Sequence, residues 1–493
     1  MSVYEDIAAI VGKDRISDNK LDLICYSHDL APLPDELIKG FGGFKPDIVV
    51  RPENISQVAD IMKYANKRSI PVTPRGGGSW GLGGVLPIDG GIVIDLCEMN
   101  RIIELNHEDE YITMEAGLEW KRLLDTLQKY GFQVASYPTS APVATIGGYI
   151  STGGSSGIGV SCYGPVGEQI ISLKVVLPDG KMIQTNPWDS WLFVGSEGTL
   201  GLICEVTLKI FKRIEMKHML FGFDSLAVGI EAIVKMSEIR PYYFTFMDKH
   251  FVKFLNEKGD HFPEKEITLA VTFEIKERVY EKEEDSVNNF FNGSRYSDEM
   301  AEKEWKNRYK TALSFKSLGP TMLSQEIRLP ARFLGKALME WKTVLSDKRI
   351  AYKGTGSDNG AVNVLPVILT DEREKKAFFT ATFYTNEIAR IGKRYHGSVY
   401  GIGLFNSYQM GQIHGESLDV MKQIKRELDP KNILNPYKTV ENRIPSFILL
   451  FIFKLMKHAT PLFVLLMKCI NGLSDSFVNN TSKLLKSRKW ENR

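Results

Sequence analysis

Residues 74–84 read Pro-Arg-Gly-Gly-Gly-Ser-Trp-Gly-Leu-Gly-Gly, directly after a β-branched run of Ile70, Val72 and Thr73. Consecutive glycines can take positive φ and bring the backbone against a ligand, which frees their N–H groups to hold phosphate. Gly76, Gly78 and Gly81 also satisfy G-x-G-x-x-G spacing, and Asp95 lies near the distance expected of a ribose-binding acid. That nicotinamide fingerprint needs a helix opening directly at the loop. Gly83, Gly84, Pro87, Gly90 and Gly91 interrupt the chain just beyond it, so no helix is expected. A rigid phosphate cradle without a Rossmann helix is the better reading, with an ordinary surface turn as its rival.

Three more segments could serve the same ligand. Pro138-Thr139-Ser140, Thr145 and Gly147-Gly148 stand in a stretch (138–148) too broken by Pro and Gly for a helix or strand interior. Thr152, Gly153, Gly154 and Ser155 come next, in a run dense with hydroxyls and bare amides, suited to a large polar ligand. Glu197, Gly198 and Gly201 then precede the β run Ile203, Val206, Leu208 and Ile210. Any one of these could be a loop, but all in order at this spacing are hard to explain as turns.

The elements that position them read as α+β. Ile48–Val50 and Ile70–Thr73 flank a helical spacing over Ile55–Asn66, with Val58, Ile61, Met62 and Ala65 on one face. Ile92–Leu96, Ile112–Ala116, Leu173–Leu177 and Leu202–Ile210 continue as strands to about Arg213. Residues 215–390 are Gly-poor, with charge-rich helices expected at Glu274–Asp285 and Asp298–Lys310 beside a strand at Ile267–Phe273. The first 41 residues look helical and polar, ending in a turn-rich stretch through Pro32, Pro34, Gly40, Gly42 and Gly43.

Composition narrows the function classes. The 493 residues carry 62 Lys and Arg against 60 Asp and Glu, so no global charge argues for nucleic acid. Cys25, Cys97, Cys162, Cys204 and Cys469 lack C-x-x-C spacing, which argues against a zinc ribbon or local iron–sulfur site and fits a reducing compartment. Met1 to Asp14 has no signal-peptide core, and an intracellular body is expected. Residues 441–493 differ from the rest: nine Lys or Arg face three acids, a net charge of +6, around the apolar run Phe447–Ile470. Pro461 divides that run into halves too short for the ~20 residues a span requires. An in-plane anchor on anionic lipid, over residues 445–493, matches the pattern better, with a buried helix pair as the alternative.

Arg75-Gly-Gly-Gly-Ser, Ala144-Thr-Ile-Gly-Gly, Tyr163-Gly and Gly195-Ser-Glu-Gly-Thr-Leu-Gly together resemble the FAD-binding domain of the vanillyl-alcohol oxidase/p-cresol methylhydroxylase flavoproteins. Lys425-Arg-Glu-Leu-Asp-Pro-Lys-Asn-Ile-Leu-Asn-Pro is similar to the closing signature of the glycolate oxidase FAD subunit/D-lactate dehydrogenase branch. The resemblance implies an α+β fold: a two-subdomain FAD-binding (PCMH-type) domain, an α+β cap with an antiparallel sheet, and here a C-terminal apolar and basic helical extension. The implied division is an N-terminal helical segment (1–42), FAD domain (43–214), cap (215–396), a segment returning to the FAD site (397–440) and the anchor (441–493). It also implies roles. Pro74, Arg75, Gly76, Gly77, Gly78, Ser79 and Trp80 would cradle the pyrophosphate; residues 139–145 and 152–155 would line the ribityl and isoalloxazine side; Glu197 to Ile203 would hold the adenine end. Members with covalent flavin often carry His or Cys where this chain has Ser79 and Ala141, so non-covalent FAD is expected.

The cap departs from the pattern. Where hydroxy-acid dehydrogenases of the family carry metal-binding histidines, this chain reads Gly356-Ser-Asp-Asn-Gly-Ala-Val-Asn-Val and Gly397-Ser-Val-Tyr-Gly-Ile-Gly-Leu-Phe-Asn406. No metal site is therefore expected. Tyr400, Asn406, Arg328 and His396 become the catalytic candidates, each with a structural alternative: packing for Tyr400 and Asn406, a cap salt bridge for Arg328. His414 reads as a capping or surface residue. A tyrosine serves as a base only if its pKa is lowered by its neighbours. The resulting expectation is an FAD-dependent oxidoreductase acting on a CH–OH group, with a 2-hydroxy acid such as D-lactate or glycolate as substrate. Its acceptor would be a quinone or another non-NAD species, and its place peripheral, on the cytoplasmic side of the membrane. The alternatives are a flavoenzyme of the alkylglycerone-phosphate-synthase type acting on a lipid, and a flavin-bearing binding protein.

Overall fold

The computed structural model describes residues 2–32, 43–275, 293–310, 312–345 and 349–440. The turn at Pro34, Gly40 and Gly42, most of the helix expected at Glu274–Asp285, and the anchor at 441–493 lie outside the described residues.

The first sheet is a small parallel unit. Ile48–Val50, Ile92–Asp95 and Val72–Arg75 lie side by side in parallel, with Ile16–Ser17 antiparallel on the outer edge of Ile48–Val50. Helix Ile55–Arg68 makes the crossover; Asn54 caps it by accepting the Gln57 N–H at 3.0 Å, and Ser69 ends it in the left-handed region at φ 53°. Its Val58, Ile61, Met62 and Ala65 face is buried as the spacing predicts. The third strand runs two residues further than expected, through Pro74 and Arg75. Pro74 is tolerated there because the strand is a sheet edge, where a missing N–H breaks no ladder. The N-terminal helix Val3–Val11 is less polar than it reads: Ile7, Ala8 and Val11 are buried against this unit, and Asp6 accepts from Tyr64 Oη at 2.8 Å.

The second sheet is antiparallel, in the order Ile102–Asn106, Tyr111–Glu115, Leu202–Lys209, Ile170–Val176, Met182–Gln184. These two sheets form the FAD-domain half of the molecule.

The cap is a nine-stranded sheet among the described residues, with every pairing antiparallel. Strand Ile267–Glu274 is buried at every position because both faces are covered. Ile267, Leu269, Val271 and Phe273 pack with Trp341 and Ile388 from the helices Leu334–Val344 and Lys375–Arg394. Ala270, with Leu220, Ala351 and Val367 from neighbouring strands, packs on the other side against Phe251 and Phe254 of Lys249–Glu257. Period-two alternation therefore assigns each residue to a core. In strand Ile350–Gly356 the residues after Ala351 on that second face are Lys353 and Thr355, which border a cavity.

Candidate active site

A cavity of about 370 Å³ lies between the FAD-domain half and the cap. Its floor is the loop after Val72–Arg75. No helix opens there, in keeping with the glycine and proline pattern. Within the described residues none of the N–H groups from Gly76 to Trp80 donates to a protein acceptor. The loop is held close against the next segment: a Cβ on Gly76 would lie 2.3 Å from Thr145 Oγ1, and one on Gly77 would lie 2.1 Å from the Val143 carbonyl oxygen. Such a row of unpaired N–H groups at a cavity wall forms an anion-binding concavity.

The second segment is more regular than its composition suggests. Thr145 caps a short helix, Ile146–Ser151, by accepting the Gly148 N–H at 3.2 Å. Gly147 is tolerated inside it because a Cβ there would meet the Ala116 Cβ at 2.7 Å. The expectation that 138–148 stays out of helix is corrected for its last three residues.

The far wall is clamped by the C-terminal segment. Lys425 Nζ donates to the Thr199 carbonyl (2.9 Å), the Leu434 carbonyl (2.8 Å) and Asp429 Oδ2 (2.6 Å), all buried. Glu197 turns its carboxylate inward, accepting the N–H groups of Ile402 (3.0 Å) and Gly403 (2.7 Å), and burial raises its pKa. Lys438, buried beside it, donates to the Gly84 carbonyl at 2.9 Å; desolvation pushes its pKa down to about 7 against the pull of Asp29 and Glu197. The closing sequence signature is thus the strap that holds the 197–201 loop in place.

The cap wall carries the polar chemistry. Glu326 faces the cavity with one hydrogen bond, from Ser156 Oγ at 2.9 Å, and burial pushes its pKa up to about 7. Lys353, on the same wall, has its pKa lowered by desolvation, partly offset by Glu304. Asn363 donates through Nδ2 to the Ser155 carbonyl at 2.9 Å, while its buried Oδ1 has no partner. Ser324 Oγ and Trp80 Nε1 also line the cavity, buried and unpartnered. Unpaired buried polar atoms are costly, so a concentration of them around one cavity points to a polar occupant.

Of the residues proposed from sequence, the cavity wall includes Pro74, Arg75, Gly76, Gly77, Gly78, Ser79 and Trp80. It also includes Pro138, Thr139, Ser140, Thr145, Gly147, Gly148, Thr152, Glu197, Gly198, Gly201 and Ile203. Gly153, Gly154 and Ser155 are not on it; the Ser155 carbonyl accepts from Asn363 and Ser357 of the cap instead. Tyr400 lines it, ring edge to Trp80 at 5.4 Å, but burial and the neighbouring Glu326 raise its pKa, so it is a donor and not a base. Arg328 pairs with Asp358 at 2.7 Å, off the cavity wall. His396 closes the helix Lys375–Arg394 at φ 61°, its ring against Phe333, and Asn406 is buried in a turn, donating to the Gly401 carbonyl at 3.1 Å. Neither lines the cavity. Glu326 and Lys353 were not singled out from sequence because neither stands in a motif; only the lateral position of the strand Ile350–Gly356, and of the link before Ile327–Pro330, brings them to the cavity.

Residues 46–186 match the family model of an FAD binding domain, and residues 215–439 that of the FAD linked oxidases, C-terminal domain. The chain belongs to the FAD-linked oxidases. This FAD-linked oxidase is 27% identical to the glycolate oxidase subunit GlcD of Bacillus subtilis (strain 168) over 467 residues, 88% of this chain and 96% of the relative. It is 28% identical to the mitochondrial D-lactate dehydrogenase (cytochrome) of Arabidopsis thaliana over 423 residues, 80% of this chain and 73% of that one. Its fold superposes on that of p-cresol methylhydroxylase with substrate bound at a TM-score of 0.74 and 17% identity, covering 89% of this chain and 96% of that one. The FAD-linked oxidase is an oxidoreductase with FAD as cofactor. The residues present fit the group: the unpaired N–H row from Gly76 to Trp80 suits a pyrophosphate, and no side chain of Gly76, Gly77 or Gly78 stands in its way.

Proposed function

We propose that this FAD-linked oxidase is a dehydrogenase that oxidises the hydroxyl-bearing carbon of a 2-hydroxy acid, D-lactate or glycolate being the first compounds to test. The observation that carries the reading is the two-sided cavity: a glycine cradle below, and an acid, a cation and an unpaired amide oxygen on the cap above. Bound FAD supplies a two-electron acceptor for hydride. The chain's own residues do the rest. Gly76 to Trp80 bind the pyrophosphate through main-chain N–H groups, with Pro74 and Arg75 on the same wall, and Thr139, Thr145 and Thr152 lie along the same cavity. Met322, Leu323 and Leu365 give the cap wall an apolar part that excludes water. Tyr400 and Ser324 offer hydroxyl donors toward the substrate.

Ser79 and Ala141 support flavin held without a covalent bond, since neither side chain can form one and Ala141 is fully buried. The electrons pass to an acceptor other than NAD; a quinone fits a protein held at a membrane, and the names of two matched relatives give a cytochrome. The basic and apolar composition of residues 445–493 supports peripheral attachment on the cytoplasmic face. Incubating purified protein with a panel of hydroxy acids and an artificial dye acceptor tests the reading. Dye reduction with a 2-hydroxy acid is expected. Reduction only with lipid alcohols, or with none of the panel, would refute it.

A further inference from the structure

On the cap side of the cavity two charged groups, Glu326 and Lys353, are not engaged in any ion pair within 4 Å among the described residues. Glu326 lies in the link between strands Thr321–Leu323 and Ile327–Pro330. Its main chain is fixed: its carbonyl accepts the Tyr400 N–H at 2.9 Å, and the next residue, Ile327, pairs with Val364 and Val399 on either side. The carboxyl is therefore presented to the cavity by a rigid support, with Ser156 Oγ holding Oε1 and leaving Oε2 without a hydrogen bond. The ionisable groups that face it are the phenols of Tyr149 and Tyr400, both held protonated by burial. Lys353 is set in the middle of the cap sheet, where its main chain pairs with Leu365 and Met247, and its ammonium lies 5.7 Å from the centre of the Phe251 ring. It lines the cavity with no carboxylate within 4 Å, Glu304 acting on it only from further off, and a buried ammonium so placed favours an anionic occupant.

We propose that Glu326 is the catalytic residue that accepts the substrate's hydroxyl proton, and that Lys353 pairs with the substrate's anionic group. This rests on the reading of the cavity as a hydroxyl-oxidising flavin site. In the step, the O–H bond breaks and its proton moves to the Glu326 carboxylate. The C–H bond on the same carbon breaks with both electrons leaving as hydride to the flavin, and the C–O bond becomes C=O. The substrate loses two electrons and the flavin gains them. The arrangement performs with a carboxylate and an ammonium what a histidine and a metal ion perform elsewhere.

A base works only when deprotonated, so the carboxyl group's titration near 7 sets the direction of the pH dependence. Flavin reduction by excess substrate, followed anaerobically in the holoenzyme, should rise with pH through about 7 and then level off. Glu326→Gln should lower the plateau by ~10²-fold or more and flatten the limb. Binding is read separately with oxalate, a dianion that cannot be oxidised, through its perturbation of the flavin spectrum. Glu326→Gln should bind oxalate within a few-fold of wild type; Lys353→Met should bind it ~10²-fold more weakly, with Lys353→Arg restoring most of the loss. FAD content of each variant reports folding. A Glu326→Gln enzyme that keeps the wild-type rate or limb, or a Lys353→Met enzyme that binds oxalate normally, overturns the corresponding assignment. Wild-type flavin that no hydroxy acid reduces overturns the underlying reading instead.

Discussion

Gly77 shows how one missing side chain can decide cofactor binding. Its Cβ would lie 2.1 Å from the Val143 carbonyl oxygen, a contact no rotamer relieves. Gly77→Val should force the 74–80 loop away from the 143–145 turn and yield protein that purifies colourless, measured as the flavin-to-protein absorbance ratio; a stoichiometrically yellow variant would move the cradle elsewhere. Glu326 makes a second prediction, free of turnover. Its folded-state pKa is raised above the ordinary 4.5 to about 7, so the folded form binds this proton more tightly than the unfolded chain. That stability is fully present below the unfolded value and is lost as pH rises through the folded one. Glu326→Gln removes the loss. Its Tm should equal or fall below wild type at pH ~5 and exceed it at pH ~8, and a gap independent of pH would contradict the burial argument. The glycine cradle was legible because glycine repetition has few other physical reasons. Glu326 was not, because Gln325-Glu326-Ile327-Arg328-Leu329 reads as a half-exposed strand. Arg328, the more conspicuous charge, is neutralised by Asp358.

The C-terminal strap is the element on which the adenine-side wall depends. Asp429 accepts the Ile433 and Leu434 N–H groups at 3.0 and 2.8 Å while its partner Lys425 reaches across to the Thr199 carbonyl. Both side chains are almost wholly buried. Replacing Lys425 by Met leaves a buried carboxylate without its cation, a loss of ~3–5 kcal/mol. Lys425→Met should therefore lower Tm markedly and weaken FAD retention together, as thermal melts with and without added FAD would show; an unchanged melt would mean the strap is dispensable. Element types were legible where alternation or helical spacing was unbroken, as in Ile55–Arg68 and the Leu202–Lys209 strand. They failed where tertiary contact overrode local signals. Gly147 sits in helix because Ala116 leaves no room for a side chain, and Pro74 stays in strand because no strand pairs with it on its outer side.

At the scale of the whole molecule, two halves close over one cavity. They share apolar packing, with Tyr242 and Tyr243 of the cap in the core of the second sheet, and polar contacts: Tyr163 Oη donates to the Glu274 carboxylate at 2.7 Å, and the Ser155 carbonyl accepts from Asn363 at 2.9 Å. The described residues that line the cavity run from Asp29 to Tyr400, well before the basic tail. On the proposed peripheral attachment, protein lacking residues 445–493 should stay in the supernatant and still carry FAD. With the tail present, high salt should weaken any attachment that the +6 charge supports. Truncated protein that loses FAD, or full-length protein that never sediments with membranes, would contradict the anchor. The resemblance implied a cap, but which of its residues face the cradle could not be read from sequence, since Glu326 and Lys353 are brought together only through long-range pairing. The central claim is that substrate oxidation and flavin reduction occur together in this cavity, without a metal. Anaerobic titration of EDTA-treated holoenzyme with D-lactate, glycolate and their homologues tests it most directly. Stoichiometric bleaching of the visible flavin band by one of these acids is the expected result; a flavin that stays oxidised throughout, or bleaches only when a divalent metal is restored, would contradict it.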